Sequence, residues 1–508
     1  MTIFAKKTKM SSIRIIGGVT RHPLYRFNEP INIQINHHEQ IAIVGRNASG
    51  KSLLVDTIVG RYPLLQNEVF FDFCGNNNNV YENVKYITFR DSYGDGECLY
   101  YQQRFNSQDA EITPLVKDLL PNSSDKTLEK EIYTIFGIDS FIEKNIVALS
   151  SGELRKFQLA KSLLGNPRIL IIDNPFIGLD YPTREQLKDL FEQLIAQFDL
   201  QIILVVSKDE DIPSFITHVI EVENRICKTK ISADEYLNQA NSTPERILST
   251  EKRERILNLP CKLSDNENRQ IVKLNNVNIR YDNRTILHNL TWEIQCGEKW
   301  ALSGNNGSGK STLLSLICAD NPQSYACDIS LFGKKRGSGE SIWDIKKRIG
   351  YVSPEMHRAF LKNIPAIEII ASGLKDTIGL YQKAKPEDIA ASEWWLDVFG
   401  ILHLKDRIFT QLSSGEQRLI LLARAFVKNP DLIVLDEPMH GLDASNQRLA
   451  KDIIEAFCHQ KDKTMIMVTH YESELPDCIT HRLCLKKGHL EQVLNSLSLR
   501  RNNNFYLS

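Results

Sequence analysis

The chain repeats itself, and the repeat limits what it can fold into. GRNASGKS at 45–52 returns as GNNGSGKS at 304–311, 259 residues later. LSSGELRK at 149–156 returns as LSSGEQRL at 412–419, and RILIIDNPFIGLD at 168–180 returns as DLIVLDEPMHGLD at 431–443, both at an offset of 263. Three motifs in one order at nearly one offset mean a duplicated domain. The length agrees, since 508 residues exceed what one ordinary core holds.

Between the copies, the stretch 229–268 is rich in charged and polar residues and reads as a linker with one short helix bounded by Pro244 and Pro260. The expected domains are therefore 11–228 and 269–497. In each, short apolar runs end at the motifs: IAIVG and WALSG before the glycine loops, RILIID and LIVLD before an acidic residue, IILVVS and MIMVTH later. Runs of this kind are buried parallel strands, and amphipathic stretches such as EQLKDLFEQLIAQF are the helices between them. The fold class is α/β, with a mainly parallel sheet core in each domain.

Composition narrows the setting. The 62 basic and 63 acidic side chains nearly cancel, so no global electrostatic footprint for nucleic acid or anionic membrane exists. No apolar run approaches the roughly 18 to 20 residues that span a bilayer. MTIFAKKTKMSS lacks the apolar stretch of a secretory signal. The 10 cysteines are scattered without a CxxC pair, which fits reduced thiols rather than a disulfide frame or a zinc site. The expected location is cytoplasmic.

A GxxxxGK[ST] run between a strand and a helix cradles phosphate: its glycines let backbone amides curl around the oxygens, and the helix start adds positive charge. The first loop is Gly45, Arg46, Asn47, Ala48, Ser49, Gly50, Lys51 and Ser52. The second is Gly304, Asn305, Asn306, Gly307, Ser308, Gly309, Lys310 and Ser311, followed by Thr312 where the first copy has Leu53. Lys51 and Lys310 are expected to neutralise the β and γ phosphates, and Ser52 and Ser311 to offer hydroxyls to Mg²⁺. Both halves are expected to bind nucleotide.

The halves differ where chemistry would occur. In the second, Asp436 is expected to hold Mg²⁺ through water, Glu437 to polarise the attacking water, and His470 to contact the γ-phosphate. The first keeps Asp173 for the metal but has Asn174 in place of the glutamate and Lys208 in place of the histidine. An asparagine cannot accept a proton as a carboxylate does, so the first site is expected to bind and hardly hydrolyse.

LSSGE after a phosphate loop, followed by the acidic strand and GLD, resembles the signature, Walker B and D-loop motifs of ATP-binding cassette (ABC) proteins. The likeness covers nearly all of the chain outside the linker and termini. It implies two P-loop NTPase domains in tandem, each with a mixed, mainly parallel sheet and a helical subdomain, hydrolysing ATP with Mg²⁺. It also implies a head-to-tail sandwich in which each ATP lies between one module's phosphate loop and the other's signature. The competent site would then join Gly304 to Thr312, Asp436, Glu437 and His470 with Ser150, Ser151, Gly152 and Glu153. The degenerate one would join Gly45 to Ser52, Asp173 and Asn174 with Ser413, Ser414 and Gly415. Asp180 and Asp443 would communicate between modules. Tyr281 fits the expected adenine-stacking aromatic of the second half; His22, with Tyr25 nearby, occupies that place in the first. The glutamine that the family carries after the next strand is absent from both halves, where Pro354 and Phe89 or Arg90 stand.

The nearest resemblance is to tandem ATP-binding proteins associated with molybdate transport, carried by SLFGKKRGSGESIWDIKKRIGYVS at 330–353 and by the degenerate first module. That likeness implies a membrane permease as partner and a peripheral place at the inner face of the plasma membrane. A ribosome-associated translation factor of the ABC-F class is an alternative, but such proteins keep a glutamate in both modules and have a longer linker. A sugar-import ATPase subunit normally has the degenerate site in the other module. A scaffold clamped by ATP without turnover is opposed by the intact Asp436, Glu437 and His470.

Overall fold

The computed structural model describes residues 11–46, 49–65, 69–73, 79–88, 114–121, 126–146, 149, 151–176, 179–198, 200–240, 248–260, 270–281, 284–360, 362–377 and 384–495. The chain divides into two compact units, Met1–Pro244 and Glu245–Ser508.

In the first unit the main sheet runs, in spatial order, Val84–Thr88, Ile169–Asp173, Gln201–Val205, Ile41–Val44, His218–Glu223 and Ile231–Ser232. The first five are mutually parallel and the last is antiparallel. Alternate residues of one strand enter different cores: Ile169 and Ile171 join one, and Leu170 and Ile172 the other. Both sheet faces are covered, which is why these strands read as unbroken apolar runs. A smaller antiparallel sheet packs Ile31–Asn36 and Phe70–Phe71 on either side of Ser11–Gly18.

The second unit repeats this order with Ile349–Val352, Leu432–Asp436, Thr464–Val468, Lys299–Ser303, His481–Lys486 and His489–Asn495. Its register matches residue for residue at the motif, since Asp173 pairs with Val205 and Asp436 with Val468. A helical layer built on Pro386–Val398 and Ser414–Phe426 buries Trp395, Phe399 and Phe426 together.

The expected linker is corrected at both ends. Ile231–Ser232 pairs with His218–Glu223, and the helix Ala233–Ala240 follows it, so the start of the 229–268 stretch is built into the first unit. The helix Thr250–Leu257 buries Ile256 in the core that holds Phe457, so it belongs to the second. A two-residue strand carries too little alternation to stand out from polar sequence, which is why the first attachment was hidden; the expected short helix between Pro244 and Pro260 is present, and only its docking through Ile256 was not legible. Among the described residues no helix is long and apolar enough to cross a membrane.

Candidate active site

Each phosphate loop leaves the carboxyl end of a central parallel strand, where ligands of open α/β sheets gather. Glycine is required at its first position. Gly45 has φ 150° and Gly304 φ 144°, and an added Cβ would lie 2.1 Å from the Val222 carbonyl oxygen or 2.2 Å from that of Leu485. Gly50 and Gly309 begin the helices Lys51–Ile58 and Lys310–Ile317 in left-handed conformations with no side-chain cap, so the first amides of both helices point into the loop unclaimed by a side chain. Lys51 Nζ donates to the carbonyls of Gly45 and Arg46 at 2.7 and 2.9 Å. Lys310 Nζ donates to those of Gly304 and Asn305 at 2.6 and 3.0 Å. Ser49 Oγ and Ser308 Oγ are buried without a hydrogen-bond partner among the described residues. Open amides, folded-in lysines and orphaned hydroxyls fit a polyphosphate. Asn47 and Ala48 lie outside the described residues.

In the second unit Asp436 is the last residue of its strand and Glu437 follows with φ 46°, a left-handed conformation that glutamate rarely adopts. His470 Nε2 lies 3.3 Å from Glu437 Oε1. Burial raises the pKa of the Glu437 carboxyl, but the His470 imidazole beside it and the charges of His440 and Arg418 outweigh it and bring it down to about 2. Asp436 moves the other way: burial, then the negative charges of Glu437 and Glu355, push it up to about 8. Asp436, with Glu437 and Glu355 as negative neighbours, is the residue that could hold Mg²⁺ through water, and the cation would neutralise the charge that develops on transferring phosphate.

In the first unit Asn174 occupies the same left-handed backbone position, φ 50°. Its Nδ2 donates to Asp173 Oδ1 at 2.7 Å, and Ser207 Oγ donates to its Oδ1 at 3.4 Å. Ser207, rather than the expected Lys208, stands in the register of His470, so neither position that matches Glu437 and His470 supplies a base.

Several expected residues have structural partners. Ser413 caps the helix Ser414–Phe426, and Glu416 closes a capping box by accepting from the Ser413 amide and hydroxyl at 2.8 and 2.7 Å. That explains glutamate at this place in LSSGE. Ser413→Ala is expected to cost about 1 kcal/mol of stability in urea unfolding; no change would mean that the box is not formed in solution. Gly415 is buried within the first turn. In the first unit Ser151 and Gly152 begin the helix Ser151–Leu163, Glu153 pairs with Lys144 at 2.8 Å, and Ser150 lies outside the described residues. Asp443 caps the helix Ala444–Cys458, and Asp180 accepts from the Thr183 amide at 3.1 Å. Tyr281 is half-exposed with its hydroxyl accepting from Asn321 Nδ2 at 2.9 Å. His22 is spent on the Leu24 amide, whereas Tyr25 stacks on Tyr62 at 4.3 Å.

Sequence reading missed three groups. Pro354 sits where glutamine was sought but opens the short helix Pro354–Ala359, and the next residue, Glu355, is the one whose charge reaches Asp436. Phe89 and Arg90 are outside the described residues. Arg418, six residues into LSSGEQRL, is fully buried and donates to the carbonyls of Ser353 at 3.1 Å and Pro438 at 3.3 Å, and to that of Glu437. Tyr86 Oη donates to Asp173 Oδ2 at 3.1 Å.

The ABC transporter family pattern matches residues 28–177 and 287–440. The chain is also 34% identical over 490 residues to the ABC transporter ATP-binding protein ModF of Escherichia coli, covering 93% of this chain and 96% of that one. The chain belongs to the ABC ATP-binding family. ABC ATPases hydrolyse ATP, so this tandem member is an ATP hydrolase. An uncharacterized ABC transporter ATP-binding protein of Schizosaccharomyces pombe, C323.04, is 30% identical over 92% of this chain and 96% of its own. Among solved structures, the archaeal ribosome recycling factor aABCE1, in complex with the ribosomal stalk protein aP1, matches with TM-score 0.57 at 17% identity, covering 92% of this chain and 87% of that one. At that identity the likeness concerns the fold alone.

Proposed function

We propose that the chain turns over ATP at the second unit's phosphate loop, while the first unit's loop binds nucleotide with little hydrolysis. The observation that carries this reading is the contrast at one backbone position. Glu437 stands ionised beside His470, whereas Asn174 faces Ser207 and is bonded to its own neighbour Asp173. Glu437 accepts the proton of the attacking water, and His470 holds the γ-phosphate. Lys310 and the amides of Gly307 to Thr312 hold the transferring group in place. Phosphoryl transfer of this kind is positioning plus charge stabilisation.

We propose further, from the family resemblance, that Ser150, Ser151 and Gly152 complete the second loop's site and that Ser413, Ser414 and Gly415 complete the first. Ser151→Arg is then expected to lower steady-state phosphate release by about tenfold or more, because a bulky cation would displace the γ-phosphate from the helix tip. Unchanged turnover would remove the crossed arrangement. The extended similarity to ModF supports a place as the ATP-binding component of a molybdate-type transport system, with a membrane permease as partner. A permease recovered in stoichiometric amount with the chain from native membranes is expected; recovery with ribosomes alone would overturn the transport role.

A further inference from the structure

We propose that the first unit's phosphate loop takes its nucleoside triphosphate as the free anion, without a divalent cation. This rests on the reading of Gly45 to Ser52 as a nucleotide loop, and two independent observations support it.

The first is that the carboxylate in the metal position is already claimed. Tyr86 Oη donates to Asp173 Oδ2 at 3.1 Å and Asn174 Nδ2 donates to Asp173 Oδ1 at 2.7 Å. Ser207 Oγ, bonded to Asn174 Oδ1, sets the amide with its NH₂ toward the aspartate. Tyr86 is itself held, with the Arg61 guanidinium 5.2 Å over its ring and Arg61 paired to Asp56 at 2.8 Å. The second unit has Tyr351 in the matching register, but its hydroxyl bonds with Ser353 instead. Among the described residues the Asp436 carboxylate accepts no side-chain hydrogen bond, and it has Glu437 and Glu355 as negative neighbours. One unit leaves its strand-end carboxyl without side-chain donors; the other surrounds it with them. Mg²⁺ sheds water reluctantly and is held by one or two carboxylates, so a doubly bonded aspartate is a poor anchor.

The second observation is where positive charge has been placed. Arg46 stands in the first loop where Asn305 stands in the second, and Lys208 stands where the second unit has the neutral Tyr471, the His470 place being filled by Ser207. Arg225 takes the place of Gly488: its amide donates to the Ser49 carbonyl at 2.7 Å, as that of Gly488 does to Ser308 at 3.0 Å. Three cationic residues thus belong to the first unit at positions that are neutral in the second. They can balance the phosphates' charge in place of the metal.

The test uses the full chain carrying Lys310→Ala, which empties the second loop, and equilibrium dialysis with ATP in Mg²⁺ and in EDTA. One ATP per chain is expected in both media, with Kd values within about threefold of each other. Binding weakened about tenfold or more in EDTA would overturn the inference and leave the nucleotide loop standing. Absence of ATP in both media would remove the nucleotide loop, and this inference with it. Adding Tyr86→Phe and Asn174→Glu frees Asp173 and restores an acidic pair; Mg²⁺ should then tighten binding about tenfold over EDTA. Equal affinity in both media for that variant would refute the role given to the two donors.

Discussion

Glu437→Gln is expected to cut steady-state ATP hydrolysis by about 10² to 10⁴-fold while ATP still binds. The amide keeps the size of the side chain and its contact with His470 but cannot accept a proton at the moment the attacking water loses one. The wild-type carboxyl is available as an acceptor because His470 beside it and the neighbouring cationic groups keep it ionised. Its left-handed backbone, φ 46°, is maintained by the Glu437 amide bonding to the Val468 carbonyl at 2.8 Å and by Arg418 on the Glu437 carbonyl. Asn174→Gln, at the matching place in the first unit, is expected to change total turnover by less than about twofold, since no base is lost there. Phosphate release from the two purified variants decides the matter. If Glu437→Gln keeps more than about a tenth of the rate, another carboxylate is the base, and Glu355 is the one to replace next.

Much of this was legible because the motifs are local. A strand, a glycine loop and a helix start are neighbours in sequence, so Gly304 to Thr312 could be read without knowing what packs around them. The duplicated order located the second set from the first, and apolar runs such as LIVLD and RILIID marked strands that are buried on both faces. What stayed hidden depends on contacts between distant positions. Tyr86 and Asp173 are 87 residues apart and meet only because their strands are adjacent in the sheet. Glu355 was concealed by its neighbour Pro354, which drew attention to a missing glutamine rather than to the acid that follows it. The start of the linker was missed because a pairing as brief as Ile231–Ser232 with His218–Val219 leaves almost no periodic trace, and its end because one buried residue, Ile256, ties the helix Thr250–Leu257 to the second unit.

Arg418 carries the other large effect. In sequence it is one arginine in an amphipathic helix, ordinarily a solvated residue, yet it is fully buried and its guanidinium meets backbone carbonyls rather than an acid. Burial lowers the pKa of the group, while the charges of Glu437 and Asp436 counter that. With the Asp436 carbonyl at 3.5 Å as a further partner, four of the five donors of the guanidinium fork are engaged, which a lysine cannot match. The fork ties the end of the strand Ile349–Val352, through Ser353, to the peptides of Glu437 and Pro438. Arg418→Met is therefore expected to strand those carbonyls and to cost about 3 kcal/mol in urea unfolding. Turnover should fall about 10²-fold as Glu437 loses its orientation, because a shift of about 1 Å in a catalytic group has that consequence. Arg418→Lys should recover part of the stability and little of the rate, separating packing from orientation. If Arg418→Met unfolds within about 1 kcal/mol of the wild type and keeps its turnover, the buried fork does not hold the catalytic pair in place.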